Sequence, residues 1–142
     1  MNHSLEVGVQ ARVTRSVTQS DLASSLSTDP ADQFPEVFAT SRMIALMELA
    51  AAQVLRPLLA DGQLSVGVTV DVMHSAPTSV GEAVSTTATY KGQEGKLFIF
   101  DVTAEDGAGE IGRGTHKRAI ISTSRLVEGA ERRRRQSQGL QQ

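Results

Sequence analysis

The chain contains no cysteine and no tryptophan, and aromatic residues make up only 4% of its 142 positions. Without cysteine there is no disulfide, no thiolate metal site and no cysteine nucleophile, which fits a reducing compartment. With so few aromatics, the core must be built from Val, Leu, Ile, Ala and Met. No apolar run approaches the length that crosses a bilayer, so no membrane partner is expected. Charge of one sign is lacking as well: the formal net charge is -2, and nothing global favours nucleic acid. The opening residues show no basic segment followed by an apolar run, so no signal peptide is expected and the chain reads as cytoplasmic. Its length suits one domain with a real core.

What is present is organised around residues 34–59, FPEVFATSRMIALMELAAAQVLRPLL. From Ser41 onward the spacing predicts one long helix, with Thr40 as its N-cap. Met43, Ile44, Met47, Ala50, Ala51, Val54, Leu55 and Leu58 form one broad apolar face, and Arg42, Gln53 and Arg56 fall opposite. Pro57 bends or ends the last turn. Glu48 lies toward the apolar side, near Ile44, Ala51, Ala52 and Leu55. A carboxylate there must be paired, hydrogen-bonded or set into a cavity, because an unpaired buried charge is costly.

Residues 5–19 alternate as a first strand, with Val7, Val9, Ala11 and Val13 on one face. Residues 21–26 suggest a helical turn, and residues 27–33 a loop of turn formers. Pro35 forces Phe34 to be extended. After the turn at Asp61-Gly62, residues 64–74 alternate as a strand. Val66, Val68, Val70, Val72 and His74 share one face, and Ser65, Gly67, Thr69, Asp71 and Met73 the other. Gly67 within that strand signals a close backbone approach or a bulge. Strands follow at residues 82–91, 96–105 and 110–124, joined by glycine-rich turns. The order is strand, long helix, four strands: an α+β domain with a five-stranded curved antiparallel sheet wrapped around one helix. Residues 1–127 form that domain. Residues 128–142, EGAERRRRQSQGLQQ, read as a frayed polar tail or, on a functional reading, a phosphate-binding arm.

Three motifs in matching order, FPEVFAT-x-x-M-x-x-L-M-E, VDVMHSAP and EIGRGTHKRAII, resemble the fluoroacetyl-CoA thioesterase family of hotdog proteins. The similarity covers roughly residues 5–125. It implies a homodimeric hotdog acyl-CoA thioesterase with a Thr, Glu and His constellation, here Thr40, Glu48 and His74. It also implies substrate contacts from Gly67, Arg118 and Phe34, and no cofactor beyond the coenzyme A of the substrate. The family's second lid phenylalanine falls where this chain has Ala31, which bears on acyl choice more than on hydrolysis.

Thioester hydrolysis needs a nucleophile or base, oxyanion stabilisation and a proton for the departing thiolate. Glu48 can attack the carbonyl or deprotonate water. His74 can move protons near neutral pH, and Thr40 can donate a positioning hydrogen bond. Arg118 suits either a coenzyme A phosphate or an ion pair. His116 is expected to be structural, with no partner evident, and His3 carries no role. Two other readings compete: a hotdog hydratase or dehydratase, and a non-catalytic acyl-CoA-binding dimer. One geometric problem stands out. Thr40 and Glu48 lie about 12 Å apart along a straight helix axis, so either the chain curls back at Thr40 or the residues meet across a subunit boundary.

Overall fold

A computed structural model describes residues 5–140; His3 lies outside them. The strands are β1 (Gln10–Ser16), β2 (Gln63–His74), β3 (Ala83–Glu94), β4 (Leu97–Asp106) and β5 (Gly109–Ser122). The helices are α1 (Ala23–Leu26), α2 (Thr40–Leu55) and α3 (Thr123–Leu140). The strands form one sheet in the order β1-β3-β4-β5-β2, every pair antiparallel. The sheet curves around α2, and Met43, Met47, Ala50, Ala51, Val54 and Leu55 of the helix are buried against it. Phe100, Val102 and Ala104 of β4 and Val84 and Ala88 of β3 complete a core short of aromatics. This is the α+β architecture that the order of elements predicts.

Four local differences have physical causes. The first strand begins only at Gln10, because Gly8 takes a positive φ of 101° and turns the chain there. The helix starts at Thr40 with Ala39 as N-cap, and no side chain caps it. Thr40 is therefore not the cap: its hydroxyl is engaged with His74 instead, at 2.8 Å. Pro57 ends α2 in a single tight turn, Arg56–Leu58. Finally, the tail expected to fray is helical as far as Leu140. It runs straight on from β5, with the Thr123 N–H bonded to the Gly62 carbonyl. The Ser122 hydroxyl accepts from the Arg125 N–H, a capping bond. Arg, Gln, Glu and Ala are good helix formers, and Glu131 pairs with Arg134 and Arg135 one turn on.

The alternation in β2 is also interrupted. The register against β5 shifts between Gly67 and Thr69, leaving Val68 as the extra residue of a bulge. Gly67 stands opposite Arg118, Val70 opposite His116 and His74 opposite Gly112. Arg118 reaches α2, and a side chain added at Gly112 would collide with Met43 of α2. Gly67 and His74, which simple alternation puts on opposite faces, therefore both face the helix. β2 is an edge of the sheet, and Val68, Val70 and Met73 on it are exposed.

Candidate active site

The residues singled out from the sequence fall into two clusters at different points along α2 and β2. The first is built on Glu48. Its Oε2 accepts from Arg118 Nη1 at 3.0 Å. The Arg118 side chain is 7% exposed and that of Glu48 42%. The remaining nitrogens of Arg118 also point inward: Nε donates to Ser65 Oγ at 3.1 Å and Nη2 to the Ser65 carbonyl at 2.9 Å. His116 lies beneath, with Nδ1 2.8 Å from the Thr69 carbonyl and Nε2 3.2 Å from Arg118 Nη1. These partners select one tautomer. Nδ1–H donates to the carbonyl, and Nε2 accepts from the guanidinium. Burial holds the His116 imidazole below its usual range, against the Thr69 carbonyl, while the Arg118 cation lowers it further and Glu48 opposes.

Gly67 is what makes room for this network. A Cβ there would lie 2.6 Å from Glu48 Oε2 and 3.2 Å from His116 Cε1. The glycine that the sequence marks as a close approach is thus a close approach to the carboxylate itself. Arg118 is engaged with Glu48, Ser65 and His116, beside the acid. Glu48 Oε1 has no hydrogen-bond partner among the described residues.

The second cluster joins Thr40 at the start of α2 to His74 at the end of β2, with Thr40 Oγ1 2.8 Å from His74 Nδ1. The Phe38 ring meets the His74 ring edge-on, centroids 6.5 Å apart. Thr40, His74, Val37, Phe38 and Pro77 line a cavity of about 340 Å³. His74 Nε2 is buried with no hydrogen-bond partner among the described residues. Burial lowers the His74 pKa, and the backbone at Ala76 opposes this. The ring is therefore neutral near pH 7 and able to take up a proton. Phe34 is 50% exposed and lines a separate cavity with Pro30 and Gln33. Ala31 is exposed on the same loop.

Within one chain the two clusters do not meet: no hydrogen bond joins Glu48 to Thr40 or His74 among the described residues. The long helix expected from the sequence is present, and Thr40 is its first residue, so the chain there does not curl back. His116, Ser65 and the Thr69 carbonyl are the parts that sequence reasoning missed. The available signal was His116 and Arg118 two apart on a strand, hence on one face, but only the register shows that this face meets Glu48.

One long helix held in the curve of a five-stranded antiparallel sheet, with a charged network set into the sheet at a glycine, defines a hotdog-fold protein. The sequence model of the family "Fluoroacetyl-CoA-specific thioesterase" matches residues 17–124, and the chain belongs to that family. A curated fluoroacetyl-CoA thioesterase of Streptantibioticus cattleyicolor is 45% identical over 89 residues, which span 63% of this chain and 64% of that relative's length. A solved structure of fluoroacetyl-CoA thioesterase FlK superposes with a TM-score of 0.87 at 34% identity, covering 92% of this chain and 98% of the other. A variant of that enzyme, solved with fluoroacetate and CoA, gives a TM-score of 0.81 at 35% identity over 86% of this chain and 99% of the other.

Proposed function

We propose that the protein is an acyl-CoA thioesterase that hydrolyses short acyl-CoA to the free acid and CoA, and that it works as a homodimer. The observation that carries this is the Glu48 carboxylate, anchored through one oxygen by Arg118 and packed against Gly67. An acid held this way has its other oxygen free to attack a thioester carbonyl or to deprotonate water. Arg118 and Ser65 fix its direction, so little reorganisation is needed at the moment of reaction. His74, neutral and backed by Thr40, is suited to relaying a proton to the departing sulfur. No resident cofactor enters this chemistry; coenzyme A arrives as part of the substrate.

The dimer supplies what one chain lacks. β2 presents a long unpaired edge with exposed valines, a surface that folded proteins seldom leave bare. Antiparallel pairing of β2 with its copy about a two-fold axis near the middle of the strand brings the Gly67 half of one protomer's strand beside the His74 end of its partner's. Glu48 of one protomer then shares a site with Thr40 and His74 from the other. Ala31, in place of a second lid aromatic, leaves Phe34 as partial cover. The acyl pocket therefore favours a broad set of short acyl groups over strict selection of fluoroacetyl.

The test is thiol release from acetyl-, fluoroacetyl-, propionyl- and butyryl-CoA, alongside sedimentation at micromolar concentration. Turnover of several of these by a species of twice 15.1 kDa is expected. Absence of thiol release from all four would defeat the reading of the activity. A mass of one chain would defeat the shared site, and a preference for fluoroacetyl over acetyl by many orders of magnitude would defeat the view of the lid.

A further inference from the structure

The geometry points to a binding site for the phosphorylated adenosine end of coenzyme A, in the groove between α3 and the end of the sheet. This rests on the acyl-CoA reading and adds to it a second contact region remote from the thioester. The groove has a volume of about 850 Å³. Lys96, Arg125, Arg132 and Arg133 line it, and Ile120 and Leu126 form an apolar floor. Among the described residues no acidic side chain lines it. Of the acids on α3, Glu131 is turned to Arg134 and Arg135. Among the described residues, none of the four groove cations takes part in an ion pair. Four unneutralised cations around an apolar floor match a purine ribonucleotide that carries a diphosphate and a ribose phosphate: guanidinium forks suit phosphate oxygens, and the aliphatic floor suits the purine face.

Two further observations tie the groove to the catalytic cluster. Arg118, the cation nearest Glu48, is fully engaged with Glu48, Ser65 and His116, so the phosphates must find their partners elsewhere. The groove also opens along the strands that carry the site. Ser65, held by Arg118, is two residues from Gln63, and Arg118 is two residues from Ile120; Gln63 and Ile120 both line the groove. A neighbouring cavity of about 500 Å³ shares Gln63, Lys96 and Ile120 with it. From Arg118 to Ser122 along β5 is about 13 Å at strand rise, a span shorter than an extended pantetheine arm. The Arg run that the sequence leaves as either frayed tail or phosphate arm takes the second role, made possible by its folding as a helix.

The experiment compares acetyl-CoA with S-acetylpantetheine, which lacks the nucleotide, and measures binding of adenosine 3′,5′-bisphosphate by calorimetry. In Arg132→Ala/Arg133→Ala, the ratio of kcat/KM for acetyl-CoA to that for S-acetylpantetheine should fall about tenfold, the scale of one or two charge-assisted hydrogen bonds at an exposed site. The loss should lie in KM, and should shrink as salt is raised. Arg134→Ala/Arg135→Ala, outside the groove, serves as the control and should keep the ratio. Wild type should bind the bisphosphate, and the groove variant should bind it about tenfold more weakly. An unchanged ratio in the groove variant, or an equal fall in the control, overturns the proposal. Should neither thioester be hydrolysed while the bisphosphate still binds in an Arg132- and Arg133-dependent way, the activity reading fails and the nucleotide site stands.

Discussion

The two clusters along α2 differ in how completely they are satisfied. Around Glu48 nearly every polar group has a partner within the chain: Arg118 spends its nitrogens on Glu48, Ser65 and His116, and His116 spends both of its own. Around Thr40, among the described residues, a single side-chain hydrogen bond is made, His74 Nε2 is buried without a partner, and a cavity lies open beside it. A saturated network fixes one side chain in one direction, as a nucleophile or base requires. An unsatisfied imidazole next to open space can still receive a group. One end is held still and the other is left able to accept a group, which is the division of labour that the proposed shared site requires.

The largest expected effect comes from removing the reactive group at the saturated end. Glu48→Gln keeps the shape and can still accept from Arg118, but loses nucleophilic and basic character. A fall of about 10²-fold or more in kcat is expected, with the melting temperature little changed. At the open end, His74→Ala should approach the same loss, and Thr40→Ala should cost about tenfold, the scale expected if Thr40 acts by positioning His74, as proposed. Wild-type rates in Glu48→Gln would show that the saturated network is purely structural. A greater loss from Thr40→Ala than from His74→Ala would reverse the roles at the open end.

Gly67 tests the boundary between holding and catalysing. A methyl group there would sit 2.6 Å from Glu48 Oε2, a distance real Cβ contacts do not tolerate, and Glu48 would have to move. The carboxylate is partly exposed and can swing away, so Gly67→Ala should fold. We expect about a tenfold drop in kcat with little change in KM, since about 1.4 kcal/mol of lost alignment gives that factor. A drop in melting temperature with unchanged kcat would show that the glycine serves packing alone.

How much of this was legible in the sequence follows from the range of the forces involved. The helix was readable because its apolar spacing is local, and the strands because alternation and glycine turns are local too. Glu48 stood out because a carboxylate on an apolar face is costly wherever the face is turned. The partner that relieves the cost, Arg118, was known only as a motif residue, since the pairing of Gly67 with Arg118 depends on strand register. The bulge at Val68 shows the limit most clearly. One extra residue reverses which side chains face the helix, so strict alternation put Gly67 and His74 apart when they share a face. No partner for His116 is legible in the sequence, because one is a main-chain carbonyl on another strand, Thr69, and the other, Arg118 two residues on, is turned toward it only by its bond to Glu48. At the end of the chain, polarity suggested fraying, yet the same arginines and glutamines are good helix formers once β5 supplies a start.

The smallest effect is a pH dependence of stability that separates the two histidines. Both have pKa values lowered by burial from 6.5. In the unfolded chain each binds a proton as the pH falls through that value, whereas in the folded chain each stays neutral to lower pH. The unfolded state therefore holds more protons between the two pKa values, and stability is full above the unfolded value and declines as the pH falls toward the folded one. His116 should dominate this decline, because it is only 1% exposed and accepting a proton on Nε2 would set it against the Arg118 cation. Glu48 on the far side of Arg118 partly offsets that. His74 has an open cavity beside it that can admit water to a charged ring. Urea midpoints measured from pH 8 down to about pH 5, above most carboxylate titrations, should fall for wild type. The slope should flatten more in His116→Asn than in His74→Asn, even though His116→Asn begins from a lower stability. A wild type that grows more stable on acidification would overturn the lowered pKa values of both histidines, and a slope abolished only by His74→Asn would place the proton-sensitive group at the open end.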